Sequence, residues 1–260
     1  MCSYCIIKNI NLRESGIDML KLYYVIFRNL LRLPTIISTM RKMADHPEQY
    51  SEEERYAYAQ YVVSLMQRTG AIRTEVYGEE NLPEEGGYMM YPNHQGKYDV
   101  YGIIGVHKKP CTFVMDKAKS YIIFVREALE MLGGKRLDKE DMRQALTIIN
   151  EVAEEVKKGA RFILFPEGEY IFNNKNKMLD FKPGCFKIAL KSMGPVGPVA
   201  LIDSYKVFNS YHVGPVTTQV HYLKPIFYEE YKGMKTHQLA ELVRERIQEK
   251  INEVTAVSIN

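Results

Sequence analysis

The chain has 260 residues, 46% hydrophobic and 26% charged, which suits one large α/β domain with a smaller helical appendage. A formal net charge of only +3 gives no argument for nucleic acid, and no nucleic-acid partner is expected. Four cysteines, Cys2, Cys5, Cys111 and Cys185, are too few for a disulfide framework and read as reduced thiols in a cytosolic setting.

The N-terminus lacks a charged region followed by an apolar core, so no signal peptide is expected. Cys2-Ser3-Tyr4-Cys5 has CxxC spacing but no second pair, and neither zinc nor redox chemistry is assigned to it. Residues 17–43 are rich in apolar side chains, yet arginines interrupt any run of about 18 that would span a bilayer. On a helical wheel, Arg28 and Arg32 each fall within about 20° of Lys21. Leu20, Tyr23, Tyr24, Phe27, Leu30 and Leu31 spread over the opposite side. A wide apolar face with a narrow basic stripe fits a helix lying in a membrane interface, and fits equally a helix packed on the domain. Pro34 is expected to kink or end this helix. A second helix is predicted over 52–69, with Gly70 as its C-cap. Residues 1–70 are therefore assigned to an amphipathic helical hairpin and 71–260 to an α/β domain.

In that domain, strands are predicted at 72–77, 88–91, 112–115, 161–165, 198–202 and 217–222. Helices are predicted at 120–132, 141–158 and 184–192, with a last one from Thr236. The alternation implies a mixed, largely parallel central sheet flanked by helices.

Two segments carry candidate chemistry. The first, Pro92-Asn93-His94-Gln95-Gly96-Lys97-Tyr98-Asp99, follows a strand. Residues five apart on a regular helix differ by about 140°, so His94 belongs in the turn and Asp99 on the first helical turn. There a carboxylate can fix the imidazole tautomer and leave the other ring nitrogen as a base. Gly96 permits the bend, its backbone amide is a candidate oxyanion donor, and Asn93 can brace the turn. The second, Phe165-Pro166-Glu167-Gly168, follows another strand about seventy residues later. Taken singly, each also reads as an ordinary capped turn.

Together, in this order and at this separation, they resemble the glycerolipid acyltransferase family. Val76-Tyr77-Gly78-Glu79-Glu80-Asn81-Leu82-Pro83 is similar to the family's lead-in, and Leu132-Gly133-Gly134-Lys135-Arg136-Leu137-Asp138-Lys139 stands in the place of its second motif. Phe181-Lys182-Pro183-Gly184-Cys185-Phe186-Lys187 and Pro198-Val199-Ala200-Leu201-Ile202 resemble later segments. The resemblance implies that His94 and Asp99 deprotonate an acceptor hydroxyl as it attacks an acyl thioester, without a covalent acyl-enzyme. It implies acyl-CoA or acyl-carrier protein as co-substrate, no cofactor and no metal. A lysophospholipid acceptor at the cytoplasmic face of a membrane follows, with peripheral or monotopic attachment. Glu167 and Gly168 would position the acceptor's glycerol.

Two positions depart from the pattern. Lys139 replaces the arginine that closes the second motif. Glu169-Tyr170 replaces the Thr-Arg or Thr-Ser that usually continues the third. Lys117, Arg136 and Lys139 are then the candidates to hold the acceptor phosphate. A different lysolipid or amino-lipid acceptor, or a non-catalytic membrane-interface protein on the same scaffold, are the alternatives these departures leave open.

Overall fold

Seven strands build the central layer of the computed structural model, which describes residues 19–257. They are β1 (Ile72–Tyr77), β2 (Tyr88–Pro92), β3 (Thr112–Asp116), β4 (Lys135–Leu137), β5 (Arg161–Ile163), β6 (Val196–Ile202) and β7 (Val216–Tyr222), in the order β1-β7-β6-β2-β5-β3-β4. Neighbours run parallel except β6 and β7, so the expected mixed, largely parallel sheet forms. Cys2, Cys5 and the first residues of the predicted N-terminal helix lie outside the described residues.

The middle strand, β2, reads Tyr-Met-Met-Tyr-Pro and is wholly buried. Continuous apolarity is what a strand needs when both faces are covered. Tyr88 and Met90 pack toward α2 (Leu33–Asp45), α3 (Glu52–Thr69), α4 (Asp99–Val106) and α5 (Val125–Met131). Met89 and Tyr91 point the other way, toward α6 (Met142–Lys157), α7 (Lys187–Ser192) and α10 (Thr236–Val257). Because β2 and β5 are adjacent and parallel, their C-terminal ends open on the same edge, which brings the two candidate segments together.

The N-terminal helices differ from expectation. The first, α1 (Leu20–Arg28), ends at Asn29 rather than at Pro34. Buried Asn29 donates from Nδ2 to Val25 O and Thr69 Oγ1, both at 2.9 Å, which pins the break to α3. Pro34 instead lies in the first turn of α2, where no backbone N–H is needed. The basic stripe does not form: Lys21, Val25 and Asn29 face the domain, and Lys21 Nζ donates to Gly214 O at 2.7 Å. Burial lowers its ammonium to about 8. The side facing away carries Leu20, Tyr23, Tyr24, Phe27 (73% exposed), Leu30 and Leu31 (95% exposed).

Other differences are local. The helix predicted at 120–132 begins only at Val125, after a 3₁₀ turn at Lys117–Lys119 and a Phe124 with φ 77°. Buried Glu127 accepts from the Phe124 N–H and pairs with Arg41, which holds that entry against α2. The strand predicted at 161–165 stops at Ile163, and the helix predicted at 184–192 opens as a 3₁₀ turn before α7. Strand β4 was not predicted, because Lys135-Arg136-Leu137 is too short and polar to show a period.

Candidate active site

At the end of β2 the chain leaves the sheet through Asn93, whose side chain replaces a ladder partner. Its Oδ1 accepts from Leu201 N–H at 2.7 Å and its Nδ2 donates to Leu201 O at 3.1 Å. Both ends of the amide are thus engaged with Leu201 and buried, so Asn93 braces the turn. Next, His94 lies with its ring flat on Phe165 (centroids 4.2 Å apart, 29° between planes) and with its edge toward Tyr170 (4.7 Å, 78°). Its side chain is 19% exposed.

Asp99 starts α4 and turns back under the histidine. Oδ2 receives His94 Nδ1 at 2.7 Å, Gly96 N–H at 2.8 Å and Gln95 N–H; Oδ1 receives Ser204 Oγ. Four donors on a buried carboxylate make it an acceptor only, so Nδ1 carries the proton and Nε2 presents its lone pair. Among the described residues no hydrogen bond occupies Nε2. The amide of Gly96, expected as an oxyanion donor, is spent on Asp99, and that of Lys97 goes to Asn209 Oδ1 at 2.8 Å. Gly96 matters sterically: a Cβ there would sit 2.3 Å from Asn209 Oδ1. Gly96→Ala should therefore lower the unfolding free energy in urea by about 1–3 kcal/mol, and an unchanged midpoint would mean that the loop yields without cost.

Glu167 enters from the end of β5 and is 2% exposed. Its Oε1 accepts from His94 N–H and its Oε2 from Leu179 N–H, both at 2.7 Å. Both oxygens are committed to backbone, so Glu167 positions the histidine turn, where the glycerol of an acceptor was expected. Burial pushes its carboxyl up to about 7, against the pull of the two N–H donors and with the neighbouring Asp99 charge adding to the rise. Gly168 follows in the left-handed region (φ 73°), and Lys139 Nζ donates to its carbonyl at 2.9 Å.

The three candidate phosphate cations each hold a carboxylate. Lys117 pairs with Asp138 at 3.1 Å, Arg136 with Glu130 at 2.6 Å and Lys139 with Asp116 at 2.7 Å. Two other lysines, Lys97 and Lys119, place their Nζ atoms 5.6 and 5.7 Å from the Tyr170 ring.

Sequence reasoning missed a set of polar braces. Asn173, Lys175 and Asn176 all have positive φ, so the loop between them curls back onto the histidine turn. Asn174 Nδ2 reaches His94 O at 3.4 Å, and Asn176 Oδ1 accepts from Gln95 Nε2 at 2.8 Å and from Asp203 N–H at 2.8 Å. The asparagine run was a readable signal, since asparagine tolerates the left-handed region. Cys185, in the Phe181–Lys187 segment, is a poor nucleophile, because burial pushes its thiol up to about 11. Among the described residues no group of three or more His, Cys, Asp or Glu side chains could hold a metal ion.

A family model described as acyltransferase matches residues 73–202, half of the chain. The 1-acyl-sn-glycerol-3-phosphate acyltransferase of Saccharomyces cerevisiae is 30% identical over 191 residues, covering 70% of this chain and 61% of the yeast protein. The alpha form from Mus musculus is 28% identical over 178 residues, covering 66% and 61%. The chain thus spans about three fifths of the length of these relatives. In fold it is similar to the crystal structure of the 1-acyl-sn-glycerophosphate acyltransferase PlsC from Thermotoga maritima. The TM-score is 0.72 at 20% identity, over 92% of this chain and 97% of that one.

Proposed function

Because the chain belongs to the acyltransferase family, we propose that it moves a fatty acyl group from a thioester to the free hydroxyl of lysophosphatidate, giving phosphatidate. The observation that carries this reading is the His94–Asp99 pair, with Nδ1 locked by a saturated carboxylate and Nε2 left for a substrate proton. The similarity to relatives named for this reaction supports the choice of acceptor.

In the reaction, His94 Nε2 removes the hydroxyl proton as the oxygen bonds to the thioester carbonyl carbon. Collapse of the tetrahedral species breaks the carbon–sulfur bond. The leaving thiolate, of pKa about 8.5, takes the proton back from the imidazolium. Phe165 and Tyr170 hold the ring in place while its charge changes, and buried Asp99 stabilises the charged form. Acyl-CoA or acyl-carrier protein serves as co-substrate, and no cofactor takes part.

The protein sits on the cytoplasmic membrane face by the outward side of α1. No helix among the described residues is long and apolar enough to cross a membrane. A docked helix with its one buried lysine turned inward and five large apolar side chains turned outward, followed at once by exposed Leu30 and Leu31, suits an interface between water and lipid. Phe27→Glu together with Leu31→Glu should weaken sedimentation with lipid vesicles at least tenfold and leave the melting temperature unchanged. Undiminished binding would remove α1 from the docking surface.

Thiol release from a long-chain acyl-CoA in mixed micelles tests the whole reading, with lysophosphatidate, another lysolipid, an amino-lipid or no acceptor. Release that depends on lysophosphatidate supports it. Dependence on another acceptor keeps the mechanism and replaces the substrate. Absence of release with every acceptor, and with acyl-carrier-protein donors, overturns it in favour of a non-catalytic interface protein.

A further inference from the structure

We infer that Ser204, on the turn that ends β6, is a positioning residue for acyl transfer: its hydroxyl holds the Asp99 carboxylate at the angle from which Oδ2 aligns His94 Nδ1. The inference rests on the acyl-transfer reading above and adds a residue that acts through Asp99 on the base. The two oxygens of Asp99 are unequally served. Oδ2 receives three donors, His94 Nδ1 and the N–H groups of Gln95 and Gly96, all from its own turn. Among the described residues Ser204 Oγ is the one donor to Oδ1, and it comes from 105 residues further along the chain. Rotation about the Cβ–Cγ bond of an aspartate moves both oxygens together. A donor fixed on Oδ1 therefore also fixes the line from Oδ2 to Nδ1.

The turn that delivers Ser204 is tightly determined. Asp203 lies at φ 62°, a left-handed conformation that is costly for a residue with a Cβ. Asn176 clasps it there: its Nδ2 donates to Asp203 Oδ1 at 3.1 Å and its Oδ1 accepts from Asp203 N–H at 2.8 Å. Gln95 closes the other side, with Oε1 accepting from Tyr205 N–H at 3.3 Å and Nε2 donating to Leu201 O at 2.8 Å. Backbone strain held by side chains on both flanks is the pattern of a segment fixed for the sake of one group, and the group here is the buried Ser204 hydroxyl. Without it, Oδ1 becomes an acceptor with no donor in a site closed to bulk water. The carboxylate then turns toward the N–H groups that remain, and the bond to Nδ1 loses its alignment. The loss falls on proton transfer rather than on substrate binding, because Ser204 and Asp99 are both buried.

The test joins steady-state kinetics on the full chain, with a long-chain acyl-CoA and lysophosphatidate in micelles, to proton nuclear magnetic resonance of the same samples. Ser204→Ala should lower kcat about 10- to 100-fold and leave KM for both substrates within about twofold. The proton on Nδ1 shared with Asp99 gives a downfield signal, identified by its loss in His94→Ala. In Ser204→Ala that signal should move upfield or vanish, which a residue that only stabilised the fold would not bring about. Threonine and valine have nearly one shape and differ by the hydroxyl, so Ser204→Thr should turn over at least about tenfold faster than Ser204→Val. A kcat for Ser204→Ala within about twofold of the wild type, a loss carried by KM, or a signal that stays in place while kcat falls, overturns the inference. If Ser204→Ala does not fold, the threonine and valine variants decide, and equal rates overturn it. A wild type that transfers nothing to lysophosphatidate fails the underlying reading instead. That result is separable from the first, because it needs no variant and the resonance needs no turnover.

Discussion

His94→Ala should lower acceptor-dependent thiol release by at least about 10³-fold and leave a folded protein. The loss corresponds to about 4 kcal/mol of barrier, within the usual range for removing a general base and well above what a lost packing contact would give. The fold survives because the turn does not hang on the imidazole. Asp99 keeps Gln95 N–H, Gly96 N–H and Ser204 Oγ when Nδ1 goes, and the His94 backbone N–H still reaches Glu167. What is lost structurally is the stack on Phe165 and one edge contact with Tyr170, an order of 1 kcal/mol. Asp99→Asn should behave differently and cost both chemistry and stability. An amide in place of the carboxylate sets an N–H₂ among four donors in a buried site, and buried polar groups without partners cost about 1–3 kcal/mol each. The pair of variants is read by steady-state rates and urea unfolding. Turnover of His94→Ala within tenfold of the wild type would remove His94 as the base.

The second large effect concerns Glu167, and it is a dependence on pH. Burial raises its carboxyl from about 4.5 to about 7, so between those values the folded protein holds a proton that the unfolded chain has released. Stability from this group is therefore full below about 4.5 and declines as pH rises toward about 7. A shift of this size is worth about 3 kcal/mol. Glu167→Gln cannot titrate, and its N–H₂ opposes one of the two backbone N–H groups of His94 and Leu179. The variant should be less stable than the wild type, and the gap between them should narrow by about 3 kcal/mol from pH 4.5 to 8. Urea titrations at four or five pH values measure it. A gap that stays constant, or widens with pH, would show that the carboxyl is ionised throughout. Activity should fall as well, because the His94 turn loses the acceptor that sets its height above the sheet.

Much of this architecture is legible in the chain. The unbroken apolarity of Tyr88–Tyr91 marks a strand covered on both faces, and the spacing of His94 and Asp99 forces a turn followed by a helix, which is how they lie. Other features depend on neighbours that sequence order hides. Lys21 looks like part of a basic stripe, since the wheel cannot tell which side meets the domain. Its position four residues before Val25 and eight before Asn29 places it on the packed face, where a carbonyl of the loop before β7 receives it. Pro34 looks like a break, yet the break lies at Asn29, held by a threonine forty residues on. Gly96 and Glu167 are recognisable as site residues, but their partners are backbone amides and an asparagine from distant segments, which no local pattern encodes. The strand β4 escapes because three residues do not make a period.

The sheet order has a consequence for synthesis. The turn bearing His94 is held by Glu167, Asn174, Leu201, Ser204 and Asn209, all made after it. Lys97 and Asn209 are 112 residues apart, so at roughly 5–20 residues per second the turn waits several seconds or more for its last brace. Until residues 161–163 are made, β2, wholly buried in the finished fold, has neither β5 nor β6 beside it. A nascent chain stalled between Asp99 and Arg161 would expose an unpaired hydrophobic edge, beside the apolar outward side of α1 that is already made.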